Sequence, residues 1–224
     1  MPLCTDQNTA MCDLWNGFGQ PALTSWGCSS NAPTSSVCTW AGITCDSCNN
    51  VASILVQNTV MGGTISPSLG ELTALNFIYL YGDSLHGSIP TTISTLIQLT
   101  ELNLEVNSLT GMIPSQVGDL TALKYLSLAG NSLAGSIPNV FQNLSALSAL
   151  QVQNNQLTGN VPASICTQSS LHFYYSSNPS LIACSGTVPK NKSTILTDSN
   201  DKSLVSSGSN LISHQLLSIQ RSYF

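Results

Sequence analysis

The sequence predicts an elongated α/β solenoid of stacked coils, and three observations predict it. Segments opening at Leu72, Leu96, Leu120 and Leu144 repeat at a constant 24-residue interval. Each reads L-x-x-L-x-x-Φ-x-Φ-x-x-N-x-L-x-G-x-Φ-P with Φ aliphatic, clearest in Leu120, Leu123, Leu126, Leu128, Asn131, Leu133, Gly135, Ile137 and Pro138. Cysteines are absent from the repeats and gather at the two ends. A fixed period of this length marks units that cannot bury their apolar faces alone and must stack.

Each element of the repeat has a physical reading. Around L-x-L, as in Tyr125-Leu126-Ser127-Leu128, residues alternate, predicting a short strand with one buried face. The following Asn-x-Leu-x-Gly must turn the chain, and Gly111 and Gly135 take positive φ there at little cost. Ile-Pro then imposes an extended step. Ser115 to Asp119 is too short for a full helix and predicts a 3₁₀ or brief α turn. Asn107, Asn131 and Asn155 are expected to stack as a structural ladder, because a buried amide both donates to and accepts from turn backbone. Asp83 holds that place in its coil and only accepts when ionised, so this coil is expected to be less well satisfied.

The pattern decays outward. Val51, Ile54, Val56, Met61, Gly63 and Ile65 make a first coil, with Thr59 in the ladder place and Ser66 for proline. Leu171, Tyr174 and Leu181 mark a degenerate sixth, where Ser176 and Ala183 break the rule. The chain divides into a Cys-rich cap over 1–50, coils over 51–186, and a flexible Ser/Asn-rich tail over 187–224.

These residues resemble plant-type extracellular leucine-rich repeats, whose consensus shares the L-x-G-x-I-P tail. Ala22-Leu23-Thr24-Ser25-Trp26 and Val37-Cys38-Thr39-Trp40-Ala41-Gly42-Ile43-Thr44-Cys45-Asp46 resemble that family's N-terminal cap. In size the chain is similar to small co-receptor kinase ectodomains; polygalacturonase-inhibiting proteins are longer relatives. The resemblance implies a right-handed superhelix with a concave parallel sheet and a short 3₁₀ or irregular convex side. It also implies an extracellular or cell-surface, non-catalytic protein that binds a protein or peptide ligand, such as another receptor's ectodomain, in signalling or defence. Gly17 and Gly19 interrupt Leu14 to Gly19, so the helix that opens the family's cap is expected to be poorly formed. Met1 to Asp6 shows neither a basic region nor an apolar run, so no signal peptide is visible. No apolar stretch is long enough to span a membrane, and a monomer is expected.

Charged residues are only 7% of the chain and the net charge is −5, which argues against nucleic acid and anionic membrane surfaces. Of eight cysteines, the resemblance pairs Cys38 with Cys45, and isolation at the far end pairs Cys166 with Cys184. Cys4, Cys12, Cys28 and Cys48 allow three connectivities. Cys45-Asp46-Ser47-Cys48 is a C-x-x-C, but a zinc site needs partners and His86, His172 and His214 are scattered; no metal or cofactor is expected. Asn143 and Asn191 head N-glycosylation sequons.

Function is expected on the strand residues between the leucines. Three outward rows follow: Ser53, Phe77, Glu101, Tyr125, Ala149 and Phe173; Leu55, Tyr79, Asn103, Ser127, Gln151 and Tyr175; Gln57, Tyr81, Glu105, Ala129, Gln153 and Ser177. The candidate ligand-binding residues are Phe77, Tyr79, Tyr81, Glu101, Asn103, Glu105 and Tyr125, since aromatics bring large contact area at low entropic cost. Glu101 and Glu105, four residues apart on a strand, are separated by about 13 Å, beyond the roughly 5–9.5 Å of a glycosidase pair. An enzyme is not expected. Inhibition of a secreted wall-degrading hydrolase is the alternative function. Ice or carbohydrate binding is weaker, because an ice face repeats one residue type in register and these rows do not.

Overall fold

The computed structural model describes residues 7–20, 23, 26–29, 32–59, 61–184 and the backbone of 195–196. One parallel sheet runs the length of the stack, in the order Val51–Gln57, Phe77–Tyr81, Glu101–Asn103, Tyr125–Ser127, Ala149–Gln151 and His172–Tyr174. Ile78, Leu102, Leu126 and Leu150 meet in register across it. They are buried, as are Leu80, Leu104, Leu128 and Val152, so the apolar half of each strand fills the interior. The chain returns through 3₁₀ turns at Pro67–Glu71, Thr91–Thr95, Ser115–Asp119 and Phe141–Asn143, and through an α turn at Ala163–Thr167. Joining parallel strands this way gives the right-handed crossover that strand twist imposes.

Between strand and return runs the ladder. Asn131 Nδ2 donates to the Leu104, Leu128 and Ala129 carbonyls at 2.9, 3.1 and 3.2 Å, while its Oδ1 accepts from Leu109 N–H at 3.0 Å. Asn107 and Asn155 do the same one coil earlier and later. Asp83 differs: its Oδ1 accepts from the Thr59 N–H and hydroxyl, and its Oδ2 is buried with no partner. Burial pushes its carboxyl up to about 6, against the opposing bonds from Thr59.

Four features depart from the sequence reading. The Asn-x-Leu-x-Gly stretch is more than a turn, because it carries short parallel strands of its own. His86–Gly87 pairs with Ser108–Leu109, and Ala134–Ser136, Gln156–Asn160 and Ser180–Ile182 form a three-stranded sheet. Each coil's N–H groups there find the preceding coil's carbonyls, as Ser132 finds Leu109 O at 2.8 Å.

In the sixth coil the register is one residue short. Ala149, Leu150 and Gln151 pair with His172, Phe173 and Tyr174. Phe173 and Tyr175 are therefore buried and stacked with ring centroids 5.0 Å apart, whereas His172 and Tyr174 take the outward places. Asn178 fills the ladder position, its Nδ2 donating to Val152 O at 2.9 Å. The L-x-x-Φ spacing has contracted to Leu171-His172-Phe173, and one deletion flips every following side chain of a strand.

A well-formed cap helix, Asn8–Gly17, buries Ala10, Met11, Cys12 and Leu14. Its glycines serve close approach. Thr64 N–H donates to Gly17 O at 2.6 Å, and a Cβ on Gly63 would stand 2.1 Å from that same oxygen. Gly63→Ala is expected to push cap and first coil apart, lowering stability by about 1–3 kcal/mol in calorimetry, with the other coils intact. Ile43–Cys45 lies antiparallel on Val51–Gln57 and covers the sheet's first edge. At the other end Ile195–Leu196, assigned above to the tail, pairs in parallel with His172–Tyr174.

Disulfides join Cys12 to Cys28, Cys38 to Cys45 and Cys166 to Cys184. Cys48 is disulfide-bonded with a partner outside the described residues. The two sulfurs of the C-x-x-C thus belong to different bridges.

Candidate binding face

The polar side of the main sheet is the concave face, and pairing aligns its rows. Ser53, Phe77, Glu101, Tyr125 and Ala149 stand in one register line, and Leu55, Tyr79, Asn103, Ser127 and Gln151 in the next. The two lines differ in depth. Tyr79 is 3% and Asn103 5% exposed, and Ser127 is fully covered. Phe77, Glu101, Tyr125, Tyr81 and Glu105 remain half-buried. Over coils two to four, Tyr79, Asn103 and Ser127 are thus a floor, and Phe77, Glu101, Tyr125, Tyr81 and Glu105 beside them are its accessible walls. Tyr79 and Asn103, expected at the surface, are corrected to the floor. A narrow strand flanked by bulky side chains on both neighbouring rows hides whatever stands between them.

Polar contacts knit floor to walls. Tyr79 Oη donates to Glu101 Oε2. Ser127 Oγ donates to Glu105 Oε2 at 3.1 Å and lies 3.3 Å from Gln151 Oε1. Asn103 Oδ1 accepts from Glu105 N–H at 2.9 Å. Burial, reinforced by the Glu101 carboxylate, holds the Tyr79 phenol far above its ordinary range. Burial also raises Glu105, with the Ser127 bond opposing it. Tyr125 is raised by burial and then by the Glu105 charge, with the neighbouring Ser127 hydroxyl opposing. Neither wall carries a lysine or arginine; Lys124, exposed and outside these rows, is the only one among the described residues.

The two carboxylates of this surface are held by hydrogen bonds from Tyr79 and Ser127. Among the described residues no three His, Cys, Asp or Glu side chains cluster to hold a metal. No described helix is long and apolar enough to cross a membrane. Sequence reasoning missed Tyr174 and His172, displaced by the sixth coil's contraction, for which Leu171-His172-Phe173 was the available signal. Asn143 is exposed at the end of its 3₁₀ turn; Asn191 lies outside the described residues.

Comparison with known proteins places this geometry. The leucine rich repeat family profile matches residues 97–157. The BIR3–SERK2 complex from Arabidopsis thaliana contains a chain 30% identical, with TM-score 0.66, covering 82% of this chain and 97% of that one. The ectodomain of the receptor kinase SOBIR1, from the same plant, is 26% identical with TM-score 0.66, covering 81% and 98%. A plant ice-binding protein is 26% identical with TM-score 0.55, covering 77% and 64%. Curated relatives are plant receptors, phytosulfokine receptor 1 of Arabidopsis thaliana among them at 36% identity over 76 residues, 33% of this chain. The chain spans only 5–7% of the length of these curated relatives.

Proposed function

The chain belongs to the plant leucine-rich repeat proteins of receptor-ectodomain type, and from that premise we propose that it is an extracellular or cell-surface recognition module. Its concave face, over coils two to four, binds a protein or peptide partner and performs no chemistry. One observation carries it: Phe77, Tyr81 and Tyr125 share a sheet face with Glu101 and Glu105, half-buried and with no cation among them. Aromatic side chains held in place by packing are economical contact residues. The likeness to a chain of a complex between two proteins, BIR3 and SERK2, supports a protein partner. The three disulfides of the described residues suit an oxidising compartment.

The test uses Phe77→Ala/Tyr81→Ala, since truncating the buried Tyr79 would disturb the floor. Pull-down from plant extracellular fluid is expected to yield partners that the double variant loses about tenfold. Equal capture by both overturns concave-face binding; a hydrolase among the lost partners turns the function to inhibition. Produced through a secretory pathway, the chain is expected to carry a glycan at Asn143. Enzymatic deglycosylation then lowers the mass of the wild type by more than that of Asn143→Gln.

A further inference from the structure

The C-x-x-C of the cap, Cys45 to Cys48, contributes to two bridges at once. Cys45 is joined to Cys38, and Cys48 is bonded to a cysteine outside the described residues. Asp46 winds the loop between them into a tight turn. Its Oδ1 accepts from the Cys48 and Asn50 N–H groups at 2.8 and 2.9 Å, and its carbonyl accepts from Asn49 N–H at 3.0 Å. Asn49 completes the turn at φ 61°. This folds Cys48 back beside the first bridge, where Cys38 Sγ lies 3.6 Å from Asn49 O. Cys38, Cys45 and Cys48 are all half-buried and within reach of a small solute, whereas Cys12 of the Cys12–Cys28 bridge is fully covered. Three sulfurs thus share one accessible loop, and a thiolate released beside a disulfide exchanges with it.

We propose that Cys38, Cys45 and Cys48 are a thiol-sensitive relay that loosens the cap, whatever the concave face binds. A small thiol of the glutathione class attacks, as its thiolate, the partner sulfur of Cys48. That S–S bond breaks, the partner keeps the thiol as a mixed disulfide, and the electron pair leaves on Cys48 as a thiolate. Cys48 then attacks Cys45 Sγ, forming Cys45–Cys48 and expelling Cys38 as a thiolate that takes a proton from water. One thiol is consumed and the number of S–S bonds is unchanged. The new bridge closes a shorter stretch of chain that Asp46 has already bent, which favours it over re-forming the old one. Its consequence is mechanical. Cys38 belongs to the 3₁₀ turn Val37–Thr39, and Cys38–Cys45 ties that turn covalently to Ile43–Cys45, the strand covering the sheet's first edge. Buried Trp40 follows the turn, its ring centroid 5.0 Å from that of Trp26, so a freed Cys38 slackens the cap where it meets the stack.

The test maps thiols on the folded, disulfide-intact protein after brief exposure to reduced glutathione at neutral pH, with acid quenching, alkylation and peptic digestion. Expected are an alkylated Cys38, a glutathione adduct on the partner of Cys48, and a peptide holding Cys45 and Cys48 that is lighter by a pair of hydrogens than its reduced form. Cys48→Ser loses the Cys38 label; should this variant not fold, the wild-type map decides alone. Amide exchange of Thr39 and Trp40, whose N–H groups donate to Ser36 and Val37 carbonyls at 2.9 and 3.1 Å, rises with the Cys38 label while Leu126 and Leu128 stay protected. A label on Cys48 with Cys38–Cys45 intact, labels on Cys38 and Cys45 together, or a protein that glutathione leaves unlabelled overturns the relay. So does a Cys38 label that persists in Cys48→Ser. A labelled Cys38 with unchanged exchange at Thr39 and Trp40 overturns the loosening of the cap.

Discussion

Asp83→Asn is expected to stabilise the protein by about 2 kcal/mol at pH 7 and to leave it unchanged near pH 3.5. Asp83 stands in the amide ladder with Oδ1 turned to Thr59 as its counterparts turn theirs to backbone N–H. Its Oδ2 therefore occupies the place where Asn107 and Asn131 put an NH₂ that donates to carbonyls. A protonated carboxyl can donate from that place as the amide does, whereas a carboxylate has no proton to give, and Oδ2 is the buried atom without a partner. The fold thus prefers the neutral form, and the carboxyl titrates near 6, above its ordinary 3.8. A raised carboxyl binds its proton more tightly folded than unfolded. Its contribution is complete below 3.8, falls as pH rises from there to 6, and is gone above. Each pH unit of that window is worth about 1.4 kcal/mol, and solvent screening trims the total to about 2. Calorimetry from pH 3.5 to 7.5 should show the wild type losing stability through that window and the asparagine variant holding level by comparison. Parallel curves for the two proteins would refute a neutral Asp83.

The sequence made this rung visible because a column of asparagines defines what its exception must lack. The same is true of the whole stack: a constant 24-residue spacing places Leu80, Leu104 and Leu128 in one buried line, whatever fills the positions between. What the period could not carry was anything depending on a single departure from it. The contraction at Leu171-His172-Phe173 exchanges inner and outer faces in the sixth coil, because strand side chains alternate and a lost residue has no partial effect. The cap helix escaped because Gly17 and Gly19 carry poor helix propensity, whereas their position is decided by tertiary contact with Thr64 and Gly63. For the binding face, alternation identified which side chains leave the interior but not how deep each lies. Tyr79 points outward and is nonetheless covered, because Phe77 and Tyr81 on its own strand and Glu101 on the next enclose it.

Asn131→Ala is expected to cost about 3–5 kcal/mol and to split unfolding into two transitions. The substitution leaves Leu109 N–H without its acceptor and withdraws a donor from Leu104, Leu128 and Ala129 carbonyls. A buried unsatisfied backbone group costs about 1–3 kcal/mol, and the space left by the amide adds to it. That is a large share of the 5–15 kcal/mol that holds an ordinary domain together. The position matters as much as the sum, because a solenoid coil contacts only its neighbours and a weak joint uncouples what lies on either side. Here the joint falls between an N-terminal half fastened by the cap and its disulfides and a C-terminal half closed by Cys166–Cys184. Urea unfolding should broaden into two steps, with amide exchange rising first in coils five and six. Asn131→Asp tests the cause, since it keeps the acceptor and loses the donor only when ionised. It should approach wild-type stability in acid and fall towards the alanine variant at neutral pH, reproducing at the centre of the stack what Asp83 does near its start. If it unfolds at neutral pH as the wild type does, the ladder's stabilisation lies in packing rather than in the donated hydrogen bonds.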